Sequence, residues 1–203
     1  HRNSDPTSIS SNNVSSICED DRGNLWIGCY EAGLNRFDPQ TETFQRFSNQ
    51  TTAPESLAIN FIRTLLIDQQ GDLWIGTEGG GLFLFNLTSK LFTRYSLGDG
   101  RSGLSHDVIH DIYEDRNGNL WIGTDGGGLN IFDRSNDCFV VYRNDKTSSK
   151  SLSSNRIVSI FEDRTGLMWL GTWGSGVNKY SSLKNKFFLD VLGSLKIKIY
   201  KNK

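Results

Sequence analysis

The sequence predicts an all-β chain built of four repeating units, and three observations predict it. One segment recurs four times at a nearly constant step. Short apolar runs alternate with polar residues and are cut by Gly, Asn, Asp and Ser. No segment keeps a helical apolar period for three turns. The recurring segment reads Asp-Asp-Arg-Gly-Asn-Leu-Trp-Ile-Gly at residues 20–28 and returns with small changes at 68–76, 115–123 and 163–171. Its tryptophans, Trp26, Trp74, Trp121 and Trp169, are separated by 48, 47 and 48 residues.

The elements of each unit follow in a fixed order. Ile9, Leu57, Leu104 and Leu152 open the units, and Asn12, Asn60, Asp107 and Asn155 stand just before the innermost strand. A short polar side chain at that place reads as a cap on backbone amides. Val14, Ile62, Ile109 and Ile157 lead the first strand. Glu19, Glu114 and Glu162 close it, with Ile67 breaking the series, and are expected on a solvated face. The Asp-x-x-Gly that follows suits a hairpin in which Asp caps amides and Gly takes a positive φ. A calcium loop would need alternating carboxylates and a distal Glu, which are missing. The second strand carries the tryptophan.

Next come the stretches Glu-Gly-Gly-Gly at 78–81 and Asp-Gly-Gly-Gly at 125–128. Neither has the Lys-Ser/Thr of a phosphate-cradling loop and no helix follows, so both read as tight turns. The third strand carries Phe37, Phe85, Phe132 or Tyr180, and the fourth Phe44, Phe92, Phe139 or Phe187. In the third unit the strands are expected over 108–114, 119–124, 129–133 and 139–143. Four-stranded units of this length with a regular Trp predict a β-propeller in which each unit is a blade and Trp fills the wedge between blades. The blades are expected at about 1–47, 48–95, 96–142 and 143–190, followed by a basic tail over 191–203. In that tail Leu195, Ile197 and Ile199 alternate with polar residues, mostly lysines, which fits an edge strand, a disordered terminus or an anion-binding patch.

Composition excludes several classes. Lys and Arg number 22 and Asp and Glu 23, a formal charge of −1, which argues against nucleic acid or an anionic membrane as the main partner. No run of 18 apolar residues is present, so no membrane-spanning helix is expected, and residues 1–10 lack the pattern of a signal peptide. The three cysteines, Cys18, Cys29 and Cys138, have no C-x-x-C spacing and read as buried free thiols. His106 and His110 lie four apart, which along one strand is about 13 Å, too far for a shared metal. No catalytic constellation, metal site or cofactor motif is found, and an enzyme is not expected.

The pattern Ile-x-x-Asp-x-x-Gly-x-Leu-Trp-Ile-Gly-Thr-x-x-Gly-Gly-Leu-Asn-x-Phe-Asp, which residues 112–133 meet with small departures, resembles the two-component regulator propeller repeat. Four tandem matches cover residues 9 to about 187. The resemblance implies a periplasmic or other extracytoplasmic sensor region of a hybrid two-component system, with the kinase elsewhere, that detects breakdown products of complex polysaccharides. It also implies larger, seven-bladed propellers, so a fragment of a longer chain is expected. The fourth unit decays, with Asp190 where Phe47, Tyr95 and Tyr142 give an aromatic, and residues 1–7 read as the end of a preceding blade's outer strand and its linker.

In a propeller the loops joining the second strand to the third share one face with the loops between blades. There, directly after Gly-Thr or Gly-Cys, the units place Tyr30, Glu78, Asp125 and Trp173, while the flanking positions repeat. Two aromatics for stacking on sugar rings and two carboxylates for accepting hydroxyl hydrogen bonds make an oligosaccharide the expected ligand. The expected protein partners are neighbouring blades or a second protomer. A scaffold propeller that docks another protein on the same face is the alternative. A third is a lyase-like propeller resembling streptogramin lyases, which would need His, Glu and a metal converging there.

Overall fold

The computed structural model describes residues 1–2, 4–47, 61–99, 103–181 and 186–190. Leu57, Asn60 and the tail over 191–203, singled out above, lie outside these residues. The described residues form four antiparallel sheets of four strands, and no helix. The first holds β1 (Val14–Glu19), β2 (Leu25–Cys29), β3 (Gly33–Asp38) and β4 (Thr43–Phe47); the second holds β5 (Ile62–Ile67), β6 (Leu73–Thr77), β7 (Leu82–Phe85) and β8 (Phe92–Tyr95). The third holds β9 (Ile109–Glu114), β10 (Leu120–Thr124), β11 (Leu129–Asp133) and β12 (Cys138–Tyr142). The fourth holds β13 (Ile157–Glu162), β14 (Met168–Thr172), β15 (Val177–Ser181) and β16 (Lys186–Asp190). Each sheet is a meander in sequence order, and the inner strands β1, β5, β9 and β13 stand side by side, as in consecutive blades of a β-propeller. The third-unit strands begin and end within one residue of expectation. In β15–β16 Val177 pairs with Asp190, as Leu34, Leu82 and Leu129 pair with Phe47, Tyr95 and Tyr142.

The hairpin between the first two strands is locked by its aspartate. Asp68 Oδ1 accepts the N–H groups of Gln70 and Asp72, and Oδ2 accepts the Trp74 indole N–H at 2.8 Å. Gly71 turns the chain at φ 81°. Asp20, Asp115 and Asp163 hold Trp26, Trp121 and Trp169 in the same way at 2.8–2.9 Å. The Asp-to-Trp spacing of six therefore serves two ends, capping the turn and satisfying the one polar atom of the large side chain that the sheet buries.

The core lies between the sheets. Trp26 packs with Ile62 and Leu65 of β5, Trp74 with Ile109 and Ile112 of β9, and Trp121 with Ile157 and Ile160 of β13. The close approach needs the glycine two residues after Trp26, Trp74 and Trp121: a Cβ on Gly76 would sit 2.7 Å from Ile109 Cγ2. Trp26, Trp74 and Trp121 are 1%, 0% and 3% exposed. Trp169 differs from the expected uniform core and is half-buried, because no further described sheet packs on it.

Three expectations are corrected. Two of the three glutamates before the hairpin are clasps between sheets rather than a solvated face: Glu114 Oε2 accepts the Gln69 N–H at 2.7 Å, and Glu162 Oε2 the Arg116 N–H at 3.0 Å, with side chains 6% and 5% exposed, whereas Glu19 is exposed as expected. Residues 1–2 and 4–8 form no strand; Arg46 of the same sheet binds the carbonyls of Asp5 and Ser8. Of the cysteines only Cys29 is buried; Cys18 and Cys138 are half-buried, and burial, aided by Asp20, pushes the Cys18 thiol up to about 12.

Candidate functional site

Tyr30, Glu78, Asp125 and Trp173 occupy one structural position in four blades. Each follows the second strand, and each donates its backbone N–H to the carbonyl just before the inner strand of its own blade, that of Asn13, Phe61, Val108 or Arg156, at 2.9–3.1 Å. The Gly-rich turns then bind the next blade. Gly79 and Gly81 both donate to the Asp107 carbonyl, and Gly126 and Gly128 to that of Asn155. Both turns need left-handed backbone at these glycines, with φ from 85° to 109°. Asp107 and Asn155 cap as expected, accepting the N–H groups of Leu97 and Asn144.

The side chains form one string across the blades. The Tyr30 ring meets Phe61 edge-on at 5.2 Å, and Phe61 in turn accepts the Glu78 N–H through its carbonyl. Glu78 pairs with Arg63, whose Nη1 lies 3.0 Å from His110 Nδ1. His110 Nε2 stands 3.5 Å from Asp125 Oδ1, a contact at ion-pair rather than hydrogen-bond range. Asp125 pairs with Arg156, whose guanidinium lies over the Trp173 ring at 5.3 Å. Trp173 is 64% exposed.

Charge is balanced along the string. Burial and the Arg63 guanidinium push the His110 imidazole below its ordinary value, against the pull of Asp125 and Glu78. Burial raises the Asp125 carboxyl, but the hydrogen bond from Arg156 and the nearby imidazole outweigh it and leave it lowered. Two guanidiniums thus face two carboxylates around a neutral imidazole. The carboxylates are not the open acceptors that the sequence predicted; one oxygen of each is held by arginine. Glu78 Oε1 and Asp125 Oδ2 carry no hydrogen bond among the described residues.

Arg63, His110, Arg156 and Phe61 are members that sequence reasoning missed. They stand at two positions of the repeat where the blades disagree: Asn13, Phe61, Val108 and Arg156 at one, Ser15, Arg63, His110 and Val158 at the other. Disagreement inside a conserved frame was the available signal. His106 does not share a strand with His110; it lies in the loop before β9 and its Nδ1 accepts the Val108 N–H at 3.0 Å. No three His, Cys, Asp or Glu among the described residues converge as metal ligands. A cleft of about 620 Å³ beside Asn144, Lys146, Ser149 and Ser175 opens next to the turn that carries Trp173.

Comparison with known proteins bears on the family and the fold. The sequence profile of the two-component regulator propeller matches residues 8–31, 56–79, 103–126 and 151–174. No curated protein sequence matches the chain. Among solved structures, the extracellular domain of a hybrid two-component system from B. thetaiotaomicron is similar over 92% of this chain, at 26% identity and a TM-score of 0.75. The chain spans only 23% of that relative. PorZ, a surface component of the type-IX secretion system of Porphyromonas gingivalis, is similar over 92% of this chain and 28% of its own (22% identity, TM-score 0.66). Virginiamycin B lyase from Staphylococcus aureus is similar over 90% and 56% (13% identity, TM-score 0.64). The last two share the fold alone. Because the four profile matches keep the step of the tryptophans and fall one to each four-stranded sheet, the chain belongs to the two-component regulator propeller family.

Proposed function

We propose that this chain is the ligand-sensing part of a two-component receptor, situated outside the cytoplasm, and that its loop face binds an oligosaccharide for a kinase region elsewhere to read. In this reading residues 1–190 are four blades of one sensor domain. The observation that carries it is the string from Tyr30 to Trp173, which joins an exposed indole to planar side chains with spare donors and acceptors. Arg156 and Arg63 offer free guanidinium N–H groups, Glu78 Oε1 and Asp125 Oδ2 accept, and Trp173 offers an apolar face to a sugar ring. The extracellular relative of a hybrid two-component system supports the location and the role. Bound sugar transmits a signal to the extent that it prefers one of two arrangements of this face.

The test is calorimetric titration of the chain with a panel of neutral and acidic oligosaccharides, repeated with Trp173→Ala. A sugar that binds the wild type and loses at least about tenfold, roughly 1.4 kcal/mol, in the variant supports the reading. Unchanged affinity for every bound sugar overturns the site.

A further inference from the structure

Arg36 is a cation at a place where the next two blades are apolar. It stands on β3 opposite Trp26, and the residues opposite Trp74 and Trp121 are Leu84 and Ile131, which pack against the core between sheets. In the fourth blade Lys179 lies over the Trp169 ring at 5.1 Å. The Arg36 side chain is half-buried, its Nε is buried without a hydrogen-bond partner, and its guanidinium meets no carboxylate among the described residues. A buried cation left in this way is costly until an anion reaches it.

The junction of the second and third blades shows how the chain itself neutralises such a charge. There Arg134, in the turn after β11, reaches Asp68 Oδ2 at 2.9 Å, Glu114 Oε1 at 3.2 Å and Gln70 Oε1 at 3.3 Å. Between the first and second blades the places of Arg134 and Glu114 are taken by Leu87 and Ile67. Asp20, the counterpart of Asp68, is already committed: its two oxygens accept the N–H groups of Arg22 and Asn24, the Asn24 amide and the Trp26 indole. What remains is a cavity of about 90 Å³ at the hairpin end of the strands, lined by Arg22, Arg36 and Lys90 with Asp20, Asp21 and Gln70. That is several times the roughly 10–15 Å³ that one water needs. Both walls belong to the chain, the β1–β2 hairpin and β3 on one side, the β5–β6 hairpin and the turn after β7 on the other.

We propose that this cavity binds a tetrahedral oxyanion, inorganic phosphate or sulfate, between the side chains of Arg36, Arg22 and Lys90. The Nε–H and Nη–H of a guanidinium form a fork that two oxygens of such an anion accept together, and Arg36 holds this fork unused. Arg22 and Lys90 are exposed at the rim and pair with no carboxylate among the described residues. Three cations thus face one saturated carboxylate, Asp20, and one exposed carboxylate, Asp21, a balance that favours a doubly charged anion over a single carboxylate. The cavity lies at the opposite end of the strands from Tyr30, Glu78, Asp125 and Trp173, so it stands independently of the oligosaccharide reading.

The test is titration of the chain with sodium phosphate and, separately, sodium sulfate, at an ionic strength held constant with chloride, followed through the arginine Nε–H resonances. One Nε–H signal, missing from the spectrum of Arg36→Leu, is expected to shift and saturate. Arg36→Leu copies Leu84 and is expected to lose at least about tenfold in affinity. Arg22→Gln and Lys90→Gln, at exposed positions, should each lose about two- to fivefold. Arg164→Gln removes the same charge from the fourth blade's hairpin and should change nothing. Saturation by one of the two anions alone supports the site and names its ligand. No saturable shift with either anion overturns the proposal, as does wild-type affinity in Arg36→Leu or an equal loss in Arg164→Gln. If circular dichroism shows Arg36→Leu unfolded, wild-type affinity in both Arg22→Gln and Lys90→Gln overturns it instead.

Discussion

Arg63 in the second blade holds its Nη1 3.0 Å from Nδ1 of His110 in the third. A guanidinium only donates, so Nδ1 must accept, and the imidazole proton sits on Nε2, facing Asp125. Burial first, and then the positive charge of Arg63, lower its affinity for a proton, and protonation would in addition set an N–H against an N–H.

Stability should therefore fall in mild acid through this residue. The folded pKa lies below the ordinary 6.5, so the unfolded chain takes up a proton first. The contribution is present in full above 6.5 and is lost as pH falls from there through the folded value. His110→Gln, which cannot charge, is expected to flatten the melting temperature against pH in that window while leaving alkaline values nearly unchanged. An unaltered slope would remove His110 as the source.

Asp111 has the opposite sign. Burial raises its carboxyl above 3.8 although the N–H groups of Ile112 and Ile160 bind it. The folded state there holds the proton more tightly, so this group stabilises increasingly as pH drops through its folded value and costs most near neutrality. Asp111→Ser, copying Ser16, keeps an acceptor without the charge. Its stability relative to wild type, measured by denaturant titration, should be most favourable at pH 7 and decline in acid.

Asp68 is fully buried between the Trp74 indole and Arg134, which it meets at 2.9 Å. Asp68→Ala strands the indole N–H and loosens Arg134, at an expected cost of about 3 kcal/mol in urea unfolding.

Gly76 and Gly171 share a sequence position but not an environment. Gly76→Ala drives a methyl against Ile109 of the next sheet and Thr64 of its own, and should cost about 1–3 kcal/mol. Gly171→Ala meets no neighbouring sheet and should change stability by less than about 0.5 kcal/mol. Equal costs would show that crowding by Ile109 and Thr64 does not set the glycine requirement.

The fold was legible in the sequence because repetition multiplies weak signals: one Trp-Ile-Gly means little, but four at a constant step specify a blade and its register. Tyr30, Glu78, Asp125 and Trp173 were found as variable positions within that frame, and the structure sets them at one equivalent place. Their partners were not found, because contact between Arg63 and Glu78, or Arg156 and Asp125, depends on how neighbouring strands lie side by side. The clasps of Glu114 and Glu162 were misread for the same reason: a carboxylate at a strand end looks solvated until the next sheet arrives.

Every strand pairing among the described residues joins neighbours in the chain. A β protein ordinarily folds slowly because distant segments must find one another before any contact rewards the closure. Here no strand-pairing search spans more than a hairpin, the contacts between sheets reach only from one unit to the next, and any blade is able to nucleate and template the next. Refolding should thus be quicker than the all-β composition alone would set, and a chain emerging from the ribosome completes its first meander long before its last is made.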